Sequence, residues 1–352
     1  CRNIISFIKE QGVGNMSEKS KELEAPVFNI RTDLAIETRE MIRKEQDVEI
    51  PGVKVNIEED REKQIKVSWV EVLDAEGEKQ MGKPVGNYVT IESPMMKEND
   101  IDAHEEIIKI LAKQLVKILN LDDDAFILVV GLGNWNITPD ALGPKVVSKI
   151  FVTRHLLDHI PEQVDESVRP VSAIAPGVMG LTGIETSEII EGVVKKIKPD
   201  LVIAIDALAS RKTSRVNTTI QIADTGVHPG SGVGNSRRGL NEETLGVPVI
   251  ALGVPTVVDA ATLVNDTMDH LIDAMLKEAN PDKEFYKMLK NLNEQEKYQL
   301  IREVLNPYVG NLFVTPKEID SVIDRLANII ANAINIALHP GIDLKDINRF
   351  TY

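Results

Sequence analysis

A chain of 352 residues, 43% hydrophobic and 27% charged, can bury a substantial core as one large domain or two ordinary ones. Its formal net charge of −15 disfavours nucleic acid as a partner, because phosphates would be repelled. The single cysteine, Cys1, permits no internal disulfide and, standing at the terminus far from any motif, gives a cysteine protease no nucleophile.

Residues 1–8 are faintly amphipathic but lack the continuous apolar region and small-residue cleavage site of a secretory signal. No stretch approaches roughly 18 consecutive apolar residues, so no membrane partner is expected. Met16 opens a more ordinary beginning, Met16-Ser17-Glu18-Lys19, and residues 1–15 are read as an upstream extension of the natural start. Residues 16–33 are charged and proline-containing and read as a loose leader. A short helical pattern follows over 34–46, with Leu34, Ile36, Met41 and Ile42 among charged neighbours. From 47 to 93 the texture alternates, predicting half-exposed antiparallel strands at 53–57, 65–72 and 87–91. Helix returns over 102–119, where Ile107, Ile108, Leu111, Leu115 and Ile118 form one apolar stripe.

Continuous apolar runs at 125–130, 201–205 and 248–252 predict strands buried on both faces, with helical stretches around 143–160, 186–198 and 258–276. The expected fold is therefore α/β: a three-layer domain with a largely parallel central sheet, the strands of 47–93 forming an antiparallel β-rich N-terminal elaboration. A charge-rich helical insertion is expected over 277–315. A last helix, over about 316–338, opens on Thr315-Pro316-Lys317-Glu318, with Thr as cap, Pro in the first position and Glu three residues after Thr.

Sites in open α/β sheets gather beyond the carboxyl ends of the strands. One buried run leads into Gly131-Leu132-Gly133-Asn134 and then Asp140; another leads directly into Asp206. Parallel strands would bring both carboxylates to one sheet edge. Such a pair supplies what amide hydrolysis needs, an ionised group to take a proton from water and a protonated one to donate, because like-charge repulsion separates their pKa values. Either aspartate alone could instead cap the next helix.

Gly131-Leu132-Gly133 also resembles the opening of a dinucleotide fingerprint, but the third glycine is missing, and no phosphate loop exists. The glycine-rich stretch 224–235, including His228, Gly230 and Gly232, would hold a substrate strand or an oxyanion through backbone N–H groups, or is simply a surface loop. The loop 175–187 leads into a helix capped by Thr186 or Ser187, with Glu185 as a third site carboxylate. His155 and His159, four apart, lack the intervening glutamate of a zinc protease, and no Gly-x-Ser-x-Gly elbow is present. Neither metal nor cofactor is expected.

Together these residues resemble one family, the spore germination proteases. The resemblance lies in 130–144 (VGLGNWNITPDALGP), 169–174 (RPVSAI), 176–180 (PGVMG), 203–209 (IAIDALA), 228–235 (HPGSGVGN), 253–260 (GVPTVVDA) and 314–318 (VTPKE). It implies an atypical aspartic endopeptidase of the cytoplasm, in the spore core, that degrades small acid-soluble spore proteins at germination. It also implies essential aspartates at Asp140 and Asp206, a self-processing zymogen, and a homotetramer; the loop residues Gly133, Asn134, Glu185, His228, Gly230 and Gly232 are expected to bind substrate or support the pair. A more distant similarity links the motif to hydrogenase-maturation endopeptidases, in which comparable carboxylates contact a metal. The run 29–37 (NIRTDLAIE) resembles the family's substrate sequence, in which an acidic residue precedes an apolar one. Self-cleavage is therefore expected between Asp33 and Leu34, dividing a 1–33 extension and propeptide from a 34–352 catalytic domain. Two rival readings keep the fold: the same carboxylates as metal ligands, which a chelator would reveal, and a non-catalytic binding protein indifferent to their loss.

Overall fold

The alternating pattern after residue 50 folds into three antiparallel strands, β1 Val53–Asp60, β2 Ile65–Val72 and β3 Gly86–Glu92. Register pairs such as Trp69 with Val89 set their alternation: Ile65, Val67, Val89 and Ile91 face one core, while Val70, Val72 and Tyr88 face another. The structure, a computed structural model, describes residues 32–46, 50–165, 167–228, 238–278, 301, 303–305 and 312–342.

The apolar runs become β4 Ile127–Gly131, β6 Leu201–Ser210 and β8 Val249–Asp259, with β5 Val171–Ile174 on the outer side of β4. These four pair in parallel. β7 Thr219–Ala223 lies antiparallel to both β3 and β8 and joins the two halves, giving the order β1-β2-β3-β7-β8-β6-β4-β5. A ninth strand, β9 Phe313–Val314, pairs with the far end of β8.

Three layers result. The helices Ile101–Leu119 and Ile319–Leu338 cover one face, packing Ile107, Leu111, Ile330 and Ile334 on Ile127, Ile203 and Ile250. On the opposite face two helices stand apart. Thr186–Ile197 packs Ile190 and Val194 on Val130 and Val202. Ala35–Gln46 packs Ala35 and Ile36 on the cluster formed by Val70, Val72, Leu208 and Ala223.

The three-layer α/β expectation holds, with four differences. The antiparallel strands are continuous with the parallel ones through β7, a strand whose Thr219-Ile220-Gln221-Ile222 alternation was too short to stand out. β6 runs on past Ile205 to Ser210 and β8 past Leu252 to Asp259, where a helix was expected to begin. The stretch 143–160 breaks into Leu142–Val147 and Arg154–His159, because Thr153 leaves the helix to bond β5: its N–H donates to Val171 O (3.0 Å) and its Oγ1 accepts from Val171 N (2.9 Å). The last helix begins at Ile319, not Pro316, because Thr315 Oγ1 donates to Thr256 O (2.9 Å) and draws that segment to β8. It is the one helix among the described residues long and apolar enough to cross a membrane, and its apolar side is spent in the core. Of the insertion expected over 277–315, residues 279–300, 302 and 306–311 lie outside the described residues.

Candidate functional site

The turn after β4 is built for close approach. Leu132 N–H donates to Ile205 O (2.8 Å), binding this turn to the middle of β6. A β-carbon on Gly131 would stand 2.2 Å from Gly143 O, and one on Gly143 would stand 2.7 Å from Ile205 O. Only glycines let the helix start meet both strands. Gly133, at φ +113°, lies where a side chain would be strained and would meet Asp140 O at 2.0 Å.

Asp140 ends a single helical turn, Thr138–Asp140, and folds back on its own loop. Asn134 N–H points at both its carbonyl (3.1 Å) and its carboxylate Oδ2 (2.9 Å). Leu142–Val147 has no side-chain cap, so Asp140 is not capping it. Asp206 lies within β6, not beyond it; it is buried, at 6% exposed, and accepts from Ala207 N–H (2.9 Å). Capping explains neither aspartate.

Both carboxylates line one cavity of about 560 Å³. Gly133 and His228 line it too, the His228 ring lying against Gly239, where a β-carbon would be 2.7 Å from Nε2. Gly230 and Gly232 lie outside the described residues. Asn134 contributes through its backbone, as above. Glu185 does not line the cavity; it is the N-cap residue of Thr186–Ile197 and makes no side-chain capping bond. Thr186 and Ser187, the two residues expected as the cap, lie inside the helix; Thr186 reaches the cavity and donates through Oγ1 to Gly177 O (3.2 Å). Among the described residues no three His, Cys, Asp or Glu side chains come together as a metal set.

Residues 32–34 lead into the first helix, Ala35–Gln46, and Asp33 lines the same cavity. Asp33 N–H donates to Ala209 O (3.3 Å), and Ala209 N–H donates to the Asp33 carboxylate (3.0 Å). Lys83 Nζ (3.0 Å) and Gln221 Nε2 (3.1 Å) both donate to Asp33 O, and Ala35 N–H donates to Gln221 Oε1 (2.7 Å). Leu34 is completely buried beside Ala35 and Ile36. Beyond it Glu37 accepts from the N–H groups of Arg211 (2.7 Å) and Lys212 (3.0 Å), and from Thr32 Oγ1. Burial pushes the Lys83 ammonium down from its ordinary value, against the pull of Asp33 and Glu37. Burial likewise raises the Tyr88 phenol to about 12.

Sequence reasoning had singled out neither Lys83 nor Gln221. Lys83 follows an ordinary charged helix, Ala75–Met81, and Gln221 sits in the unrecognised β7. Only a polar residue in a strand buried on both faces could have signalled Gln221.

A family model described as germination protease matches residues 32–290 and 273–351. The germination protease of Clostridium tetani is 57% identical over 323 residues, covering 92% of this chain and 99% of that protein. The germination protease of Bacillus subtilis is 47% identical over 368 residues, covering 95% and 100%.

Proposed function

This chain belongs to the germination protease family of peptidases, and from that premise we propose that it cuts small acid-soluble spore proteins at germination, using Asp140 and Asp206 as an aspartic pair. One carboxylate takes a proton from the attacking water and the other donates to the leaving amine. The two titrate as a unit, so base and acid belong to the pair. The observation that carries this reading is that Asp140, Asp206 and Asp33 line a single cavity. Asp33-Leu34 is the acidic–apolar bond expected to be cut in self-processing, and that its acidic residue lines the same cavity as the two aspartates supports this reading. On this reading the chain is a zymogen of the cytoplasm of the spore core that removes residues up to Asp33. It acts as a homotetramer.

The test is cleavage of a purified small acid-soluble spore protein by the processed protein, beside Asp140→Asn and Asp206→Asn, with and without chelator. Asparagine keeps size and most hydrogen bonding while removing the titratable carboxylate. Both variants should fold and lose at least a hundredfold in rate, with the chelator inert. Activity abolished by chelator would make the carboxylates metal ligands, and active variants would place the chemistry elsewhere.

A further inference from the structure

Hydrolysis of the Asp33–Leu34 bond puts negative charge on one atom, the Asp33 carbonyl oxygen. That oxygen already receives two donors from distant parts of the chain, Lys83 Nζ at 3.0 Å and Gln221 Nε2 at 3.1 Å. The same Gln221 amide accepts from Ala35 N–H at 2.7 Å, so one side chain grips both flanks of Leu34. Ala209 holds the Asp33 carboxylate, and the Leu34 side chain is seated among Val70, Val72, Tyr88 and Leu208. Every group of the Asp-Leu pair therefore has a fixed place, and the two donors are aimed at the reacting oxygen.

We propose that Lys83 and Gln221 form the oxyanion site of this protease, polarising the carbonyl that is cut and holding its charge in the tetrahedral intermediate. The proposal rests on the Asp33–Leu34 bond being the one cleaved. Water adds to the Asp33 carbonyl carbon, giving up a proton, and the carbonyl π pair moves onto the oxygen held by Lys83 and Gln221. The pair then returns, the C–N bond breaks, and Leu34 N takes the proton as a free amine, leaving Asp33 with a carboxylate. Preorganised donors facing a developing oxyanion are worth about 10²–10³ in rate each in water-excluded sites. Lys83 suits that task, since its lowered pKa marks an ammonium short of water and in need of an anion. Glycine-rich backbone is then not required for the oxyanion.

The experiment follows self-processing of the full chain by intact mass, for the parent protein, Lys83→Met, Lys83→Arg, Gln221→Leu and Gln221→Glu. Gln221→Glu is informative because it keeps an acceptor for Ala35 N–H while losing the donor to Asp33 O. The parent should release a product beginning at Leu34. Lys83→Met, Gln221→Leu and Gln221→Glu should slow that step about a hundredfold or more with unchanged thermal melting, and Lys83→Arg should recover part of the rate. In trans, on a peptide spanning residues 29–37, the loss should fall on kcat with little change in KM. Variants that process within about twofold of the parent overturn the oxyanion assignment alone. A parent cut at another bond, or not at all, overturns the proposed cleavage and this assignment with it.

Discussion

At His339 a fully buried imidazole meets Phe151 edge-on, with ring centroids 5.5 Å apart. Burial lowers its pKa to about 4, and the nearby Arg169 adds to the effect against an opposing contact from the Phe151 backbone. The unfolded chain binds that proton near pH 6.5, so stability is complete above 6.5 and is lost as pH falls toward 4. Urea unfolding should show this group alone costing about 2 kcal/mol between pH 7 and pH 5, and His339→Leu should flatten that slope; an equal slope in the variant would refute the assignment. The same scale shows what sequence can reveal. Asp140 and Asp206 were legible because each follows an apolar run that must be a buried strand. Lys83 and Gln221 were not, because their role depends on a leader segment far away in the chain: Gln221 meets Asp33 and Ala35 across more than 180 positions.

The central strands, the first helix and Ile101–Leu119 follow from periodicity, and they fall where it predicts. Strand ends were harder to read. Gly253 and Pro255 look like a stop after 252, yet β8 continues, because Pro255 lies opposite Leu208, where the pairing with β6 shifts register, and its own carbonyl accepts from Asn217 N–H (2.7 Å). A proline at an irregularity costs no ladder bond. The C-terminal helix owes its place to burial more than to its start signal, with Ile330 and Ile334 wholly buried against the sheet. Ile334→Ala should destabilise the protein by about 2–5 kcal/mol in chemical unfolding; a loss below 1 kcal/mol would show that this layer can collapse around the gap.

Across the whole molecule, Arg215 joins three distant stretches. Its guanidinium meets Glu40 (2.7 Å) and Glu37 (3.4 Å) of the first helix and Glu92 (2.7 Å) at the end of β3. Burial opposes these charges, yet Arg215 and Lys212 hold the Glu40 carboxyl below its ordinary value. Removing one partner would strand the others, so Arg215→Met should cost about 3–5 kcal/mol and loosen the first helix, which hydrogen exchange over 35–46 would register; unchanged protection there would refute the link. This arrangement also anchors the chain just after Asp33, while Leu34 stays sealed from solvent. A cut at Asp33–Leu34 would create an ammonium there, where a neutral amide now donates to Thr32 Oγ1 (3.1 Å), a partner on the departing side. The new charge would need water, and so would the carboxylate left on Asp33. Religation would require dehydrating both ions again, so such a cut would act as a ratchet that turns in one direction only.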